Sequence, residues 1–207
     1  MEKKIKRKVN FKRIIVFILL LIIILYAINY FLKQYFYVPE AVLVSEVYGV
    51  KVNTKLIASG TNSRPGIKRK IKYLVIHETD NTAASANAEN HAEYLSKNNK
   101  TSTSWHYTVD DKEIYHHIPD DEVAYHAATQ KGNLYGIGIE LCVNEGGDFE
   151  KTFENAAKLV AYLIKEYNLN INDIKTHNDF SGKDCQHNII KDNRIGEFKE
   201  KVKTFLK

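Results

Sequence analysis

The sequence predicts an α/β or α+β sheet domain preceded by one membrane-spanning helix. Three observations carry this expectation: an unbroken apolar run near the N-terminus, short β-branched and aromatic runs bounded by turn residues, and longer segments with apolar residues at helical spacing. Strands interleaved with helices able to cover them form a sheet with packed helices.

Ile14 to Leu32 is a run of 19 residues in which Asn29 is the only strongly polar side chain. A helix of that length spans about 28 Å at 1.5 Å per residue, against a hydrocarbon core of about 30 Å. A cleaved secretory signal has an apolar region of about 7–15 residues and a small-residue cleavage site, and Ala27-Ile28-Asn29 is a poor one. The run therefore reads as an uncleaved single-pass anchor in the cell membrane. The 13 residues before it carry seven Lys and Arg against Glu2, which predicts a cytoplasmic N-terminal tail and an extracellular remainder, with Tyr30, Tyr35, Phe36 and Tyr37 at the outer interface. That asymmetry also explains the overall charge. The formal +5 becomes −1 over the 194 residues after the tail, which excludes a basic nucleic-acid face.

Residues 33–55 include Pro39 and lack a helical period, so they read as a spacer with one strand around Val42 to Val50. The domain proper is expected over 56–207. Its first turn-rich stretch, Ser59 to Gly66, leads to the strand Tyr73-Leu74-Val75-Ile76, with His77 at the C-terminal end. Ala84, Ala88, His91, Ala92 and Leu95 then mark one face of a helix ending near Asn98-Asn99. Trp105 to Val109 and Glu113 to Ile118, joined by Asp110-Asp111-Lys112, predict a hairpin. In Gly136 to Val143, Ile137, Ile139, Leu141 and Val143 alternate with Gly138, Glu140 and Cys142, so a strand would place Glu140 opposite the aliphatic face. Phe153, Ala156, Ala157, Val160, Leu163, Ile164 and Tyr167 predict a second helix with Thr152 as N-cap, and Asn193 to Leu206 a final amphipathic one.

Cys142 and Cys185 are the only thiols, which excludes a disulfide-dense scaffold and a four-cysteine zinc module. His177 and Cys185 stand eight residues apart in a polar, Gly-containing loop, and an imidazole with a thiolate suits a borderline-soft ion such as zinc. His77, ending a distant strand, is the candidate third ligand, which would leave the open fourth position of a catalytic site. On spacing alone, two incidental loop residues explain His177 and Cys185 equally well.

Several ordered blocks decide between these readings: Asn62-Ser-Arg-Pro-Gly66, Tyr73-Leu-Val-Ile-His77, Ser104-Trp-His-Tyr-Thr-Val-Asp-Asp-Lys-Glu-Ile-Tyr115, Gly138-Ile-Glu140 and His177 to Cys185. From about Leu56 to Ile190 the sequence resembles the zinc-dependent N-acetylmuramoyl-L-alanine amidases, a family of phage endolysins, bacterial autolysins and peptidoglycan recognition proteins. It is most similar to those of Gram-positive bacteria and their phages. The resemblance implies a mixed central sheet flanked by helices, with zinc held by His77, His177 and Cys185. It implies Glu140 as general base and Lys183, two residues before Cys185, as the group that holds the oxyanion. Where some members carry a tyrosine just before the strand histidine, this chain has Trp105, so the base role falls to Glu140. The implied reaction cleaves the amide between N-acetylmuramic acid and the L-alanine of the stem peptide by zinc-activated water.

His126 matches a family histidine near the substrate cleft and, with Trp105, is a candidate substrate-binding residue; a structural role for His126 is the alternative. His91 reads as a packed core histidine and His106 as support or packing, with His116, His117 and His187 structural or on the surface. A Cys142–Cys185 disulfide would destroy the implied metal site, so Cys142 reads as a small packed residue. Departures from the family pattern are Gln186, where many relatives have proline, and an altered loop from Thr129 to Tyr135. The expected partners are peptidoglycan and the cytoplasmic membrane, the expected state a monomer. The alternative function is a non-catalytic peptidoglycan-binding module on the same fold, against which Cys185 counts; a zinc peptidase cutting another wall amide is a third option.

Overall fold

The computed structural model describes residues 11–36, 43–97, 101–182, 188–189 and 194–207, and the chain divides into two units, Met1–Tyr37 and Val38–Lys207. The first contains α1 (Phe11–Phe36), longer than the run Ile14 to Leu32 at both ends. Its segment Phe11–Leu32 is long and apolar enough to cross a membrane, and none of its most apolar window is buried. Such a helix is unlike the core helix of a soluble domain, which hides its apolar face.

The second unit is a mixed α/β domain. Its seven strands are β1 (Glu46–Val47), β2 (Val50–Thr54), β3 (Tyr73–Glu78), β4 (Tyr107–Val109), β5 (Glu113–His116), β6 (Gly136–Leu141) and β7 (Ile174–Thr176), in the spatial order β1-β2-β5-β4-β6-β3-β7. The β1/β2 and β4/β5 pairs are antiparallel and the other four are parallel. β3 lies between β6 and β7 and is buried from Leu74 to Glu78. The β4–β5 hairpin closes as the sequence suggests: the Asp110 carboxylate accepts from the N–H groups of both Lys112 and Glu113 (2.8 Å each).

One face of the sheet packs under α4 (Phe149–Glu166), which in turn packs on α6 (Ile195–Leu206). Leu74, Ile76, Ile137, Ile139 and Leu141 meet Phe153, Leu159, Val160 and Phe198 there in one buried cluster. Each fully buried side chain of this size contributes about 1.5–3 kcal/mol. On the opposite face, α2 (Ala88–Lys97) lies over β4 and β5, and α3 (Gln130–Tyr135) over β3 and β6. A short α5 (Asn178–Ser181) follows β7.

Four local expectations are corrected. Residues 46–54, read as part of a spacer with a single strand, supply both β1 and β2, because β2 finds a parallel partner in β5, about 60 residues away in sequence. The cap of α4 is Asp148, which accepts from the Lys151 N–H, while Thr152 is buried in the first turn. α2 starts at Ala88, whose N–H donates to the Asp110 carboxylate, so Ala84 stays exposed in the preceding turn. The stretch read as an altered loop holds α3, capped by the Thr129 hydroxyl. Residues 98–100 and Asn193 lie outside the described residues.

Candidate active site

Side chains of registered neighbours in a sheet share a face. β3 and β6 pair His77 with Glu140, and β6 and β4 pair Glu140 with Thr108. The last β3/β7 pair is Ile76 with Thr176, so the next step brings His177 beside His77; their ring centres are 4.9 Å apart at 74°. His177, His77 and Glu140 thus form a row at the C-terminal ends of three adjacent parallel strands, where open α/β sheets place their ligands. Both imidazoles are buried, and with Glu140 they line a cavity of about 230 Å³. The alternation that places Glu140 opposite Ile139 and Leu141 is present: those aliphatic residues are sealed in the core and Glu140 faces the cavity.

Trp105 forms a wall shared with a second cavity of about 380 Å³, which Asn81, Asn90 and Tyr94 also line. Its indole N–H donates to the Thr108 hydroxyl (2.7 Å), and its ring packs with Ile57, Leu95, Ile118 and Ala124. His91, on the buried stripe of α2, reaches both cavities.

His126 also lines this cavity, beside His77: its Nδ1 is 3.0 Å from His77 Nε2, and its Nε2–H donates to the Gly136 carbonyl (3.1 Å). Burial drives its pKa down to about 3, and the charge of Arg69 pushes the same way, so the ring is neutral. The ring sits over β6 at glycines: a Cβ on Gly138 would come within 2.6 Å of it, and one on Gly136 within 3.3 Å. The next layer is polar and also buried. The Gly138 N–H donates to His106 Nδ1 (3.0 Å), and Arg69 Nη2 lies 2.8 Å from His106 Nε2. Burial, with the adjacent guanidinium, holds His106 well below its usual pKa. Arg69 Nε donates to the Glu122 carbonyl (2.7 Å), and the Glu122 carboxylate takes a two-pronged ion pair from Arg64 (2.7 and 3.0 Å). The Asn62 to Gly66 block therefore contributes an anchor for the wall of the site, not a reacting group.

Sequence reasoning passed over Glu78. Its buried carboxylate accepts from the backbone N–H groups of Asn188 and Ile189 and from the Asn188 amide (2.8–3.1 Å), fixing the chain just beyond Cys185. The signal was present, since a carboxylate inside a buried strand needs several donors. Gly136 and Gly138 carried a signal too, because glycine within a strand marks a close approach. Lys183, Cys185 and His187 lie outside the described residues. Cys142 is a buried thiol, 4.0 Å from His91 Nδ1.

A family model described as N-acetylmuramoyl-L-alanine amidase matches residues 67–188, more than half of the chain. The chain belongs to the N-acetylmuramoyl-L-alanine amidase family. Among curated proteins, this amidase-family chain is 43% identical over 143 residues to N-acetylmuramoyl-L-alanine amidase XlyA of Bacillus subtilis strain 168, covering 68% of this chain and 48% of XlyA. It is 42% identical over 144 residues to CwlH of the same strain, covering 68% of this chain and 57% of CwlH. The chain thus spans about half the length of the curated relatives it matches. Among solved structures, the catalytic domain of XlyA superposes with a TM-score of 0.70 at 40% identity, covering 74% of this chain and 99% of that one.

The donor set can be tested for a metal. Two imidazoles on one tetrahedral ion, at metal–nitrogen distances of about 2.0–2.1 Å, have ring centres about 5 Å apart, and His77 and His177 meet that spacing. His126 is equally near His77, but through a direct ring-to-ring hydrogen bond. Among the described residues no group of three or more His, Cys, Asp or Glu forms a metal cluster. Two imidazoles suit a borderline-soft ion, and a third donor would have to come from outside the described residues.

Proposed function

We propose that this protein is a membrane-anchored, zinc-dependent peptidoglycan hydrolase that cleaves the amide between N-acetylmuramic acid and the L-alanine of the stem peptide. The observation that carries the reading is the row of His177, His77 and Glu140 at the ends of three parallel strands. Family membership agrees with it. His77, His177 and Cys185 would hold the zinc, which when bound supplies a Lewis acid and lowers the pKa of a ligated water.

The remaining roles belong to the chain. The scissile carbonyl lies in the cavity beside Glu140, and the neighbouring cavity with Trp105, Asn81 and Tyr94 takes the flanking substrate. Glu140 accepts the proton of the attacking water as the oxygen–carbon bond forms. Lys183 holds the developing negative oxygen. As the carbon–nitrogen bond breaks, Glu140 returns the proton to the alanine amine, and it ends the cycle ionised.

In this reading α1 is an uncleaved anchor with residues 1–13 in the cytoplasm, and the domain from β1 onward works outside. It acts on wall within reach of the membrane, which favours remodelling over lysis. The test is digestion of purified peptidoglycan by the full chain in detergent, with Cys185→Ala beside it and the fragments identified by mass spectrometry. The expected products are intact stem peptides with a free L-alanine amino terminus, absent with the variant. Cuts elsewhere would indicate a peptidase, and binding without cleavage a recognition module. Recovery of the protein mainly from the culture medium would overturn the anchor.

A further inference from the structure

We infer that the cavity between α2 and Trp105 is a sugar subsite, which takes an acetamido sugar of the glycan and leaves the stem peptide outside it. The inference rests on the proposed amide cleavage in one respect: the bond to be cut joins the lactyl group of a sugar to a peptide, so a cavity adjoining Glu140 receives one of these two halves. Thr79, His91, Thr103 and Trp105 line both cavities, and a substrate lying beside Glu140 therefore extends into the larger one. Its volume of about 380 Å³ falls at the lower end of the range for small-ligand sites, about 300–1,000 Å³.

The lining decides between the halves. None of its described residues is a lysine, arginine, aspartate or glutamate. A stem peptide carries free carboxylates, and sites built for carboxylates use arginine or lysine. An acetamido sugar is uncharged, and its hydroxyl and amide groups call for partners that both donate and accept. Asn81, Ser85, Asn90 and Thr103 supply such groups. All four are at exposed positions, whereas Ala86, His91 and Trp105 are buried, so the cavity has a polar rim over a mostly apolar floor.

The two aromatic side chains differ in what they offer. The indole of Trp105 has one N–H, which donates inward to Thr108 (2.7 Å), while its ring packs with Ile57, Leu95, Ile118 and Ala124. Towards the cavity it presents carbon. Tyr94, on α2, is 53% exposed, a ring standing more than half in water at the edge of the cavity. The face of such a ring is negative and matches the C–H groups on one face of a pyranose. The rim is set before any ligand arrives: the Asn90 amide donates to the Ser85 carbonyl (2.6 Å), and the Asn81 carboxamide oxygen accepts from the Ala83 N–H (3.2 Å).

Trp105 is the only tryptophan of the chain, so its emission and its single indole N–H resonance report this cavity alone. The experiment titrates the full metal-free chain, in micelles of a detergent without a sugar head group, with two probes that divide the substrate. One is the disaccharide of N-acetylglucosamine and N-acetylmuramic acid with its lactyl carboxyl capped as a methylamide. The other is the free stem tetrapeptide with an acetylated L-alanine. The disaccharide should shift both signals saturably and the peptide neither, and Tyr94→Leu should weaken the disaccharide about 2- to 10-fold. A shift with the peptide, no shift with the disaccharide, or an unaltered disaccharide affinity in Tyr94→Leu overturns the sugar subsite. Disaccharide binding by a chain that releases no stem peptides from peptidoglycan would uphold the subsite and sink the hydrolase reading instead.

Discussion

Beneath α4 and α6 the sheet presents Leu74, Ile76, Ile137, Ile139 and Leu141, all sealed from solvent and held by shape alone. Its other face, built from the same strands, presents His77, Gly138 and Glu140 with His126 beside them and, behind, His106 and Arg69, joined by directed hydrogen bonds. The first face gains stability in proportion to the area it removes from water. The second gives up part of that gain, because each buried polar group only recovers in the protein what it lost in water. The difference teaches where this domain separates stability from chemistry: changes under α4 should move the first, and changes on the histidine face the second.

The largest test of that separation is Glu140→Gln. On the proposed role it lowers stem-peptide release about 10²- to 10⁴-fold and leaves the calorimetric unfolding midpoint in place; a large fall in the midpoint would erase the distinction. Phe153→Ala is its mirror image. It should cost about 3–5 kcal/mol in urea titrations while activity per folded molecule holds. Gly138→Ala sits between the two, since its Cβ would push the His126 ring from β6. On the proposed zinc site, a loss of about 1–3 kcal/mol together with weaker zinc binding is expected, and a stability loss alone would mean the ring can shift without consequence.

The smallest effect is a pH dependence at the rim of the histidine face. Hydrogen bonding from Arg64 holds Glu122 below its usual value of 4.5. A carboxylate with a lowered folded-state pKa adds stability at neutral pH, and that stability is lost as pH falls from 4.5 toward the folded value. Arg64→Met should lower stability at pH 7 and flatten the decline below pH 4.5, measured as urea midpoints against pH. An unchanged acid limb would show that the pair contributes nothing measurable.

What could be read from the sequence divides along the same line. The apolar face was legible because its signals are local: the helical period of α4 and the alternation in β6 each lie within one segment. The residues of the row stood out through motif blocks, with the face that Glu140 occupies also given by the alternation in β6. β1 and β2 were legible as no more than one strand, because the five-residue β2 is fixed by pairing with β5 far along the chain and the two-residue β1 by pairing in turn with β2. The place of His126 beside His77 was also hidden, since it depends on two glycines of a third segment. The start of α4 was missed because Asp148 and Thr152 are both acceptable caps, and only the fold chooses the earlier one.

His77, Glu140 and His177 come from three segments that together span a hundred residues, and they meet only where β6, β3 and β7 lie side by side. Closing loops of this length comes late in folding, after local helices and hairpins have formed. A chain still emerging or only half folded has therefore not yet brought these three residues together. On the proposed function, latency would follow from the topology itself, with no cleavage before the sheet is complete and neither a pro-segment nor an inhibitor needed for that interval.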